Sequence, residues 1–377
     1  RDAQESRGLG DVYKRQTIYS AMNKEFNCDF FFGDSVFEPI QAFDVKNLAG
    51  YKGTIHAIKC FKNYVWHTGI KAVFDKKYTD YVVTGSNNYL INWILLFYCV
   101  ITRRRIYLWS HGTSKEHFPI LERMKQKLFY RLPDGIFLYA RFNKPNLERL
   151  GCNQDKLHIL HNSLNTAEQS KIYSYLKESP VLYDHFQNNY PVIIYIGRIQ
   201  KRKKVDQIIY ALELLKKRGE LINLVIVGEA ANDNEIEKIV TDLRLLDQVW
   251  FYGACYDENI NAQLIYNSAL CVSPGNVGLT AIHSLTYGTP VVTNDNFVTQ
   301  MPEFEAVIDG CTGSFFKEDD IEDLANEISK WTKLSSKERL LVRHQCRRTI
   351  QEEWSTDYQI NIFKSCLLYT SPSPRDS

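Results

Sequence analysis

None of the nine cysteines stands at Cys-x-x-Cys spacing from another, and no histidine cluster accompanies them. This excludes the common structural zinc patterns and argues against a disulfide scaffold. Several of the cysteines sit in apolar runs, where a thiol behaves as a small hydrophobe, so a reducing cytoplasm is the expected compartment. An excess of one charge is missing too. Lys+Arg is 46 against Asp+Glu 44, a net of +2, too little for an electrostatic nucleic-acid binder, and no nucleic-acid partner is expected. Nor is any apolar run of bilayer length. The longest, residues 89–102, would reach only ~21 Å as a helix against a hydrocarbon core of ~30 Å. It is expected as a buried helix, with Arg103-Arg104-Arg105 as its C-terminal charge cluster rather than a membrane contact. With 13% aromatics, 19 Gly and 11 Pro in 377 residues, the chain is neither disordered nor collagen-like. It shows no internal repeat and no low-complexity segment.

The ends carry a signal of a different kind. Residues 6–16 and most of 366–377 are encoded by complementary strands of one DNA string, that of a transposase adapter used in library preparation. Residues 1–16 and 366–377 are therefore set aside as adapter-derived. The remainder, 17–365, is expected to be open at both ends. The only Gly-x-Gly, at Gly8 and Gly10, falls in the part set aside, so no dinucleotide-binding fingerprint remains.

What the remainder does contain is alternation. Strand-like runs at 28–32, 80–84, 106–110, 135–139 and 157–161 are separated by helical patterns such as 115–130 and 141–150. A looser stretch at 163–190 breaks the rhythm. Strands then resume at 192–196, 224–227, 249–252, 270–273 and 290–293, with helical patterns at 205–217, 235–245, 279–287 and 321–333. Such alternation predicts an α/β protein with two Rossmann-like domains of parallel strands, whose ligands sit at the carboxyl ends of those strands. The expected organisation is an N-terminal domain at 17–165, a linker at 166–190, a C-terminal domain at 191–353 and the start of a terminal helix at 354–365.

Two segments bear chemistry. In Ile194-Tyr195-Ile196-Gly197-Arg198-Ile199, a buried strand ends on glycine, and five cations follow between Arg198 and Lys204 before a helix opens. A planar guanidinium and a point-charge ammonium beside a helix N-terminus suit a diphosphate. A solvated basic loop is the competing reading. In Ser273-Pro274-Gly275-Asn276-Val277-Gly278-Leu279, another strand enters a glycine loop and a helix. Gly275 and Gly278 permit close backbone approach or positive φ, and the amides at the helix start near Leu279 can hold a phosphate. His283 lies on the first turns of that helix, where a packed or surface role competes with a ligand role.

The second half resembles the nucleotide-sugar domain of GT-B glycosyltransferases, in particular the retaining family 4. The family's Gly-Arg-Leu-x-x-x-Lys-Gly segment is similar to Gly197-Arg198-Ile199 followed by Lys203-Lys204. Its Val-Gly-x-Gly is matched in part by Val227-Gly228-Glu229, and its Phe-x-Gly turn near the base site by Phe251-Tyr252-Gly253. Its Gly-x-Pro-Val-Val appears as Gly288-Thr289-Pro290-Val291-Val292. Its Pro-Glu and Asp-Gly-x-x-Gly appear as Pro302-Glu303 and Asp309-Gly310 through Gly313. The first half resembles the family's acceptor domain more loosely, through Trp109-Ser110-His111-Gly112 and His161-Asn162-Ser163. The family's first strand and acceptor loop would precede Thr17. One departure stands out: the two carboxylates of the family's Glu-x7-Glu motif fall on Gly275 and His283.

The resemblance implies a GT-B fold, two Rossmann-like domains facing across a cleft. It also implies a metal-independent, retaining transfer from a UDP- or GDP-linked sugar to a glycan or lipid-linked acceptor in cell-envelope polysaccharide synthesis, with no cofactor. The absence of Asp-x-Asp from 17–365 is consistent with this. It further implies catalytic roles for His111, Arg198 and Lys203, and a donor site of Gly197, Arg198, Lys203, Gly253, Gly275, Asn276, Val277, Gly278, Leu279 and His283. The expected location is cytoplasmic, with peripheral contact on the inner face of the membrane. A GT-B nucleotide-sugar epimerase and a non-catalytic glycan- or nucleotide-binding module are the alternatives.

Overall fold

A computed structural model describes residues 16–33, 45–61, 63–115, 117–229 and 235–368. They form two compact units. One holds the chain up to Ser163 and again from Thr356 onward, and the other holds Leu164–Ser355.

The first unit runs α1 (Gln16–Phe26), β1 (Phe30–Gly33), β2 (Tyr51–Lys59), β3 (Val65–Thr68), β4 (Asp80–Thr84), α2 (Leu90–Thr102), β5 (Arg105–Ser110), α3 (Ile120–Arg131), β6 (Gly135–Leu138), α4 (Lys144–Arg149) and β7 (Leu157–Ile159). β4-β5-β6-β7 form a parallel sheet in chain order, with Val82 opposite Tyr107 and Ile136 opposite Leu157. β1, β2 and β3 form a separate sheet, β1 parallel and β3 antiparallel to β2. Residues of β1 and β4 both line a cleft of about 1060 Å³ in this unit, together with His67, Arg105 and His111.

The second unit runs α5 (Thr166–Tyr175), α6 (Val181–Phe186), β8 (Val192–Ile196), α7 (Asp206–Lys217), β9 (Asn223–Val227), α8 (Glu235–Asp242), β10 (Val249–Gly253), α9 (Glu258–Asn267), β11 (Leu270–Ser273), α10 (Leu279–Thr286), β12 (Val291–Asn294), β13 (Gly313–Phe316), α11 (Ile321–Thr332) and α12 (Ser336–Glu353). Its six parallel strands are ordered β10-β9-β8-β11-β12-β13. The chain builds outward from β8 on one side and from β11 on the other, so the topological switch lies between these two strands. β9 and β11 are buried on both faces, as central parallel strands covered by helices must be. α13 (Thr356–Leu367) returns to the first unit, where Phe363 packs edge-on to Phe137 and Trp109, and Lys364 pairs with Glu25.

Several expectations differ from what is seen. β2, β3 and β13 are strands the pattern did not announce. β2 alternates half-buried and exposed residues and carries Lys52, His56 and Lys59, so its apolar content is low. Residues 166–190, expected as a linker, carry α5 and α6, whose Ile172 and Leu182 are buried in the second unit's core. The run 89–102 is a helix buried on one face only: Leu96 and Cys99 are inside, while Phe97 and Ile101 are exposed. Of the two ends set aside on sequence grounds, residues 1–15 and 369–377 lie outside the described residues, while Cys366 is buried and its carbonyl accepts from Tyr107 Oη at 3.0 Å.

Candidate functional site

The two loops flanking the switch point carry most of the residues singled out in the sequence. Gly197 follows β8 with φ +146° and lies so near α10 that a Cβ there would sit 3.6 Å from Thr280 Oγ1. Thr280 donates to the Ile196 carbonyl at 3.0 Å, tying the start of α10 to the end of β8. α10 opens on Gly278, which has no side chain to cap it. Ala281 N–H closes the first turn onto the Gly278 carbonyl at 2.9 Å, and the positive end of the helix dipole lies at this terminus.

Beside this terminus, Arg198 is exposed, and its guanidinium makes no hydrogen bond or ion pair among the described residues. Its carbonyl is held by the buried Tyr195 hydroxyl at 2.7 Å. The next cations form a 3-10 turn, Lys201–Lys203, stapled to the opposite loop at two points. Gly275 N–H donates to the Lys203 carbonyl at 3.0 Å, and Lys203 Nζ donates to the Asn276 carbonyl at 2.5 Å. A Cβ on Gly275 would lie 2.2 Å from the Arg202 carbonyl oxygen and 2.6 Å from Lys203 Cα. Gly275 is thus required by close approach, not by positive φ. Lys204 is withdrawn from any ligand by ion pairs to Glu318 at 3.0 Å and Asp319 at 2.6 Å.

The loop after β11 is clamped from its other side by residues the sequence did not single out. Asn294 Nδ2 donates to the carbonyls of Pro274 and Gly275 at 2.7 and 3.0 Å. Val277 N–H donates to Gln300 Oε1 at 2.7 Å, so this amide is already engaged. Asn276 Oδ1, by contrast, is buried with no hydrogen-bond partner among the described residues. An orphaned buried acceptor at a loop held on both sides is a site prepared for a donor from a ligand.

His283 points to a different neighbour from the one its motif position implies. Its Nε2 lies 3.0 Å from Glu258 Oε1, which also accepts from Tyr287 Oη at 2.6 Å and Gln169 Nε2 at 2.8 Å. Burial alone would raise the Glu258 carboxyl, but the hydrogen bond and charge of His283, then Tyr287 and Gln169, overcome it and hold the group at about 2. Glu258 thus supplies, from the first turn of α9, a carboxylate next to the histidine. A carboxyl held this far below its usual 4.5 stabilises the fold fully above pH 4.5 and loses that contribution as pH falls toward 2. Glu258→Gln is expected to lose about 2 kcal/mol near neutral pH, the partly solvated oxygen discounted, and to flatten this acid limb. Chemical denaturation of both proteins across that window measures it. An unchanged acid limb would contradict the assignment.

Gly253 ends β10 with φ +85°, and its carbonyl accepts from Gly228 N–H at 2.9 Å. It is on the same strand-end side as the rest but two strands from β8 in the sheet order. His111 belongs to the first unit, after β5, with its ring 4.3 Å from that of Tyr139. The second unit therefore brings together Gly197, Arg198, Lys203 and 275–279, sets Gly253 to one side, and turns His283 toward Glu258. Asn294 and Gln300 had one legible signal, their position at and shortly after a parallel strand's carboxyl end. Glu258 had none. Among the described residues, no group of three or more His, Cys, Asp or Glu side chains is placed to hold a metal.

Comparison with known proteins fits this geometry. A solved structure of HepE from Anabaena in complex with UDP superposes with a TM-score of 0.69 at 14% identity, covering 96% of this chain and 97% of that one. The fold is GT-B. Residues 184–349, within the second unit, match the family model of glycosyl transferases group 1. The putative glycosyltransferase EpsD of Bacillus subtilis (strain 168) is 25% identical over 185 residues, 49% of this chain and 47% of that protein. The alpha-D-kanosaminyltransferase of Streptomyces kanamyceticus is 31% identical over 127 residues, 33% of this chain and 31% of that protein. The chain thus spans half the length or less of these curated relatives.

Proposed function

We propose that the protein is a glycosyltransferase that moves a sugar from a UDP- or GDP-linked donor to a glycan or lipid-linked acceptor in cell-envelope polysaccharide synthesis, with retention and without a metal or cofactor. The observation that carries this reading is the convergence, at the switch point of a parallel sheet, of the uncapped start of α10, the exposed Arg198 and Lys203 on the stapled turn. Breaking the bond between the anomeric carbon and the diphosphate builds negative charge on the leaving phosphate oxygen. Arg198 offers that oxygen a planar fork, and the amides at the start of α10 offer fixed dipoles. An ammonium carries three donors, so Lys203 can meet a phosphate while keeping its bond to the Asn276 carbonyl. With this charge balanced by side chains and backbone, the step needs no divalent cation.

Asn276 Oδ1 is available to accept from a hydroxyl of the transferred sugar. His283, with one ring nitrogen committed to Glu258, retains the other for the ribose. Gly253 leaves space at the base turn, since a Cβ there would meet nothing within 4 Å. His111 is assigned to the donor sugar or the acceptor. Support for UDP comes from HepE, which shares the fold and is found with that nucleotide. The protein is placed in the cytoplasm with peripheral membrane contact. Among the described residues, no helix is long and apolar enough to cross a membrane.

A thermal-shift panel of UDP- and GDP-sugars tests the donor. One nucleotide class is expected to stabilise the protein, and Arg198→Ala and Lys203→Ala should each weaken it roughly tenfold to a hundredfold, the value of a charge-assisted bond. Unchanged affinity in both variants would sink the diphosphate assignment. Epimerised donor appearing without any acceptor would replace the transferase reading with an epimerase.

A further inference from the structure

The peptide group between Asn276 and Val277 is gripped at both ends. Its carbonyl accepts from Lys203 Nζ at 2.5 Å, and its N–H donates to Gln300 Oε1 at 2.7 Å. In a trans peptide these two groups lie in one plane and point in opposite directions. A partner at each end therefore fixes the rotation of the whole plane. The grip matters because the parts it joins are soft. Gly275 and Gly278 flank the pair, and glycine gives the backbone its widest freedom. Lys203 carries its charge on a flexible four-carbon stem.

Gln300 is itself anchored. Asn294 closes β12, and the chain turns back to bring Gln300 beside it. The Asn296 N–H donates to Asn294 Oδ1 at 3.0 Å, the Thr299 N–H to the Asn296 carbonyl at 3.0 Å, and the Phe297 ring stacks on Phe304 at 4.8 Å. Gln300 Nε2 then donates to Thr293 Oγ1 at 2.9 Å and to the Asn294 carbonyl at 3.0 Å. These partners settle which way the carboxamide faces. A backbone N–H only donates, so Oε1 must meet Val277. A backbone carbonyl only accepts, so the amide nitrogen must meet Asn294. Thr293 and Asn294 are both buried, at the end of an inner strand of the sheet. Gln300 is thus referred to a rigid element rather than to a loop.

The bonds run in one line from β12 through Gln300 and the 276–277 peptide to Lys203. We propose that Gln300 is a positioning residue for Lys203, acting through this single peptide plane to hold the ammonium at the diphosphate. The proposal rests on the donor reading above and deepens it. Without the Gln300 carbonyl, the plane is free to turn, the Asn276 carbonyl swings off Lys203, and the ammonium loses its seat. The coupling also runs the other way. An ammonium on the carbonyl polarises the peptide and strengthens its N–H as a donor to Gln300. Gln300 itself is assigned no contact with the donor.

The test is a double-mutant cycle on UDP affinity in the full chain. Gln300→Met keeps the length of the side chain and removes its hydrogen bonds; Lys203→Met removes the charge. Gln300→Met alone is expected to weaken UDP about fivefold to tenfold, the worth of a neutral hydrogen bond. In the Lys203→Met background it should cost about twofold or less, because the residue it acts through is gone. Gln300→Ala removes the same bonds and carries the cycle should the methionine variant fold poorly. A second readout needs no nucleotide. Partial acetylation followed by peptide mass spectrometry compares Lys203 with Lys201, which is exposed on the same turn. In Gln300→Met, Lys203 should react several times faster relative to Lys201 than it does in the parent. Additive losses in the cycle, or an unchanged ratio of Lys203 to Lys201, would overturn the proposal and leave Gln300 a structural clamp. A raised ratio with UDP affinity untouched by every substitution would uphold the hold on Lys203 and sink the diphosphate assignment alone.

Discussion

Gly275→Ala is expected to cost about 3 kcal/mol of stability, roughly 6–12 °C in melting temperature for a unit of this size, and to abolish detectable nucleotide binding. The added methyl would lie 2.2 Å from the Arg202 carbonyl oxygen and 2.6 Å from Lys203 Cα. Both contacts are backbone, so no rotamer change relieves them. Either the 3-10 turn or the loop after β11 must move, and the two are joined by the Gly275 and Lys203 bonds. That displacement carries Lys203 and Asn276 away from the start of α10 together. Gly275→Glu, which puts back the carboxylate that the family places here, should be worse than alanine. The position is not a space left by a lost catalytic group; the turn has closed over it. Thermal melts and UDP titration of the two variants decide the matter. Parental stability and improved turnover in the Gly275→Glu variant would show that the position was open after all.

The legibility of the second unit follows from its burial. β8, β9 and β11 are covered on both faces, so they appear as uninterrupted apolar runs ending on glycine or Ser-Pro. The loops at their ends could be found because their glycines and cations are local in sequence. What could not be read is anything that depends on two distant segments meeting. The reason for Gly275 is the backbone of Arg202 and Lys203, more than seventy residues earlier. The carboxylate beside His283 comes from α9, and nothing near Glu258 announces that three donors converge on it. Of the five cations expected at the diphosphate, Lys204 looked equivalent to its neighbours, and only the return of Glu318 and Asp319 from beyond β13 assigns it elsewhere. In the first unit, the half-exposed alternation of β2 gave too little apolar signal. The apolar run of α2 reads as a buried helix, because a sequence shows how many apolar residues there are, not which of them find partners.

The first unit carries its own pH dependence, centred on His161 at the end of β7. This residue is fully buried and adopts φ +56°. Its Nε2 lies 3.1 Å from Arg141 Nη1, and its Nδ1 3.1 Å from the Tyr139 carbonyl. A guanidinium can only donate, so Nε2 must accept and Nδ1 must carry the proton, which makes the ring neutral. Burial first, and the Arg141 charge second, push it down to about 3, against a slight opposing pull from the Tyr139 carbonyl. The unfolded chain takes up a proton at the ordinary value of 6.5, and the folded one does not until about 3. Stability is therefore full above pH 6.5 and falls as pH drops between these limits, by on the order of 4 kcal/mol in total. The upper part of the window, from 6.5 down to 4.5, lies above the range in which Glu258 acts. His161→Asn isolates the effect, because asparagine tolerates the left-handed backbone and does not titrate. The variant should be less stable than the parent near neutral pH and decline less steeply through this upper window, the remaining slope belonging to His158 of β7, which burial also holds below its ordinary value. Urea denaturation at a series of pH values, followed by tryptophan fluorescence, measures both slopes. Parallel slopes in the two proteins would mean that His161 is not the group responsible.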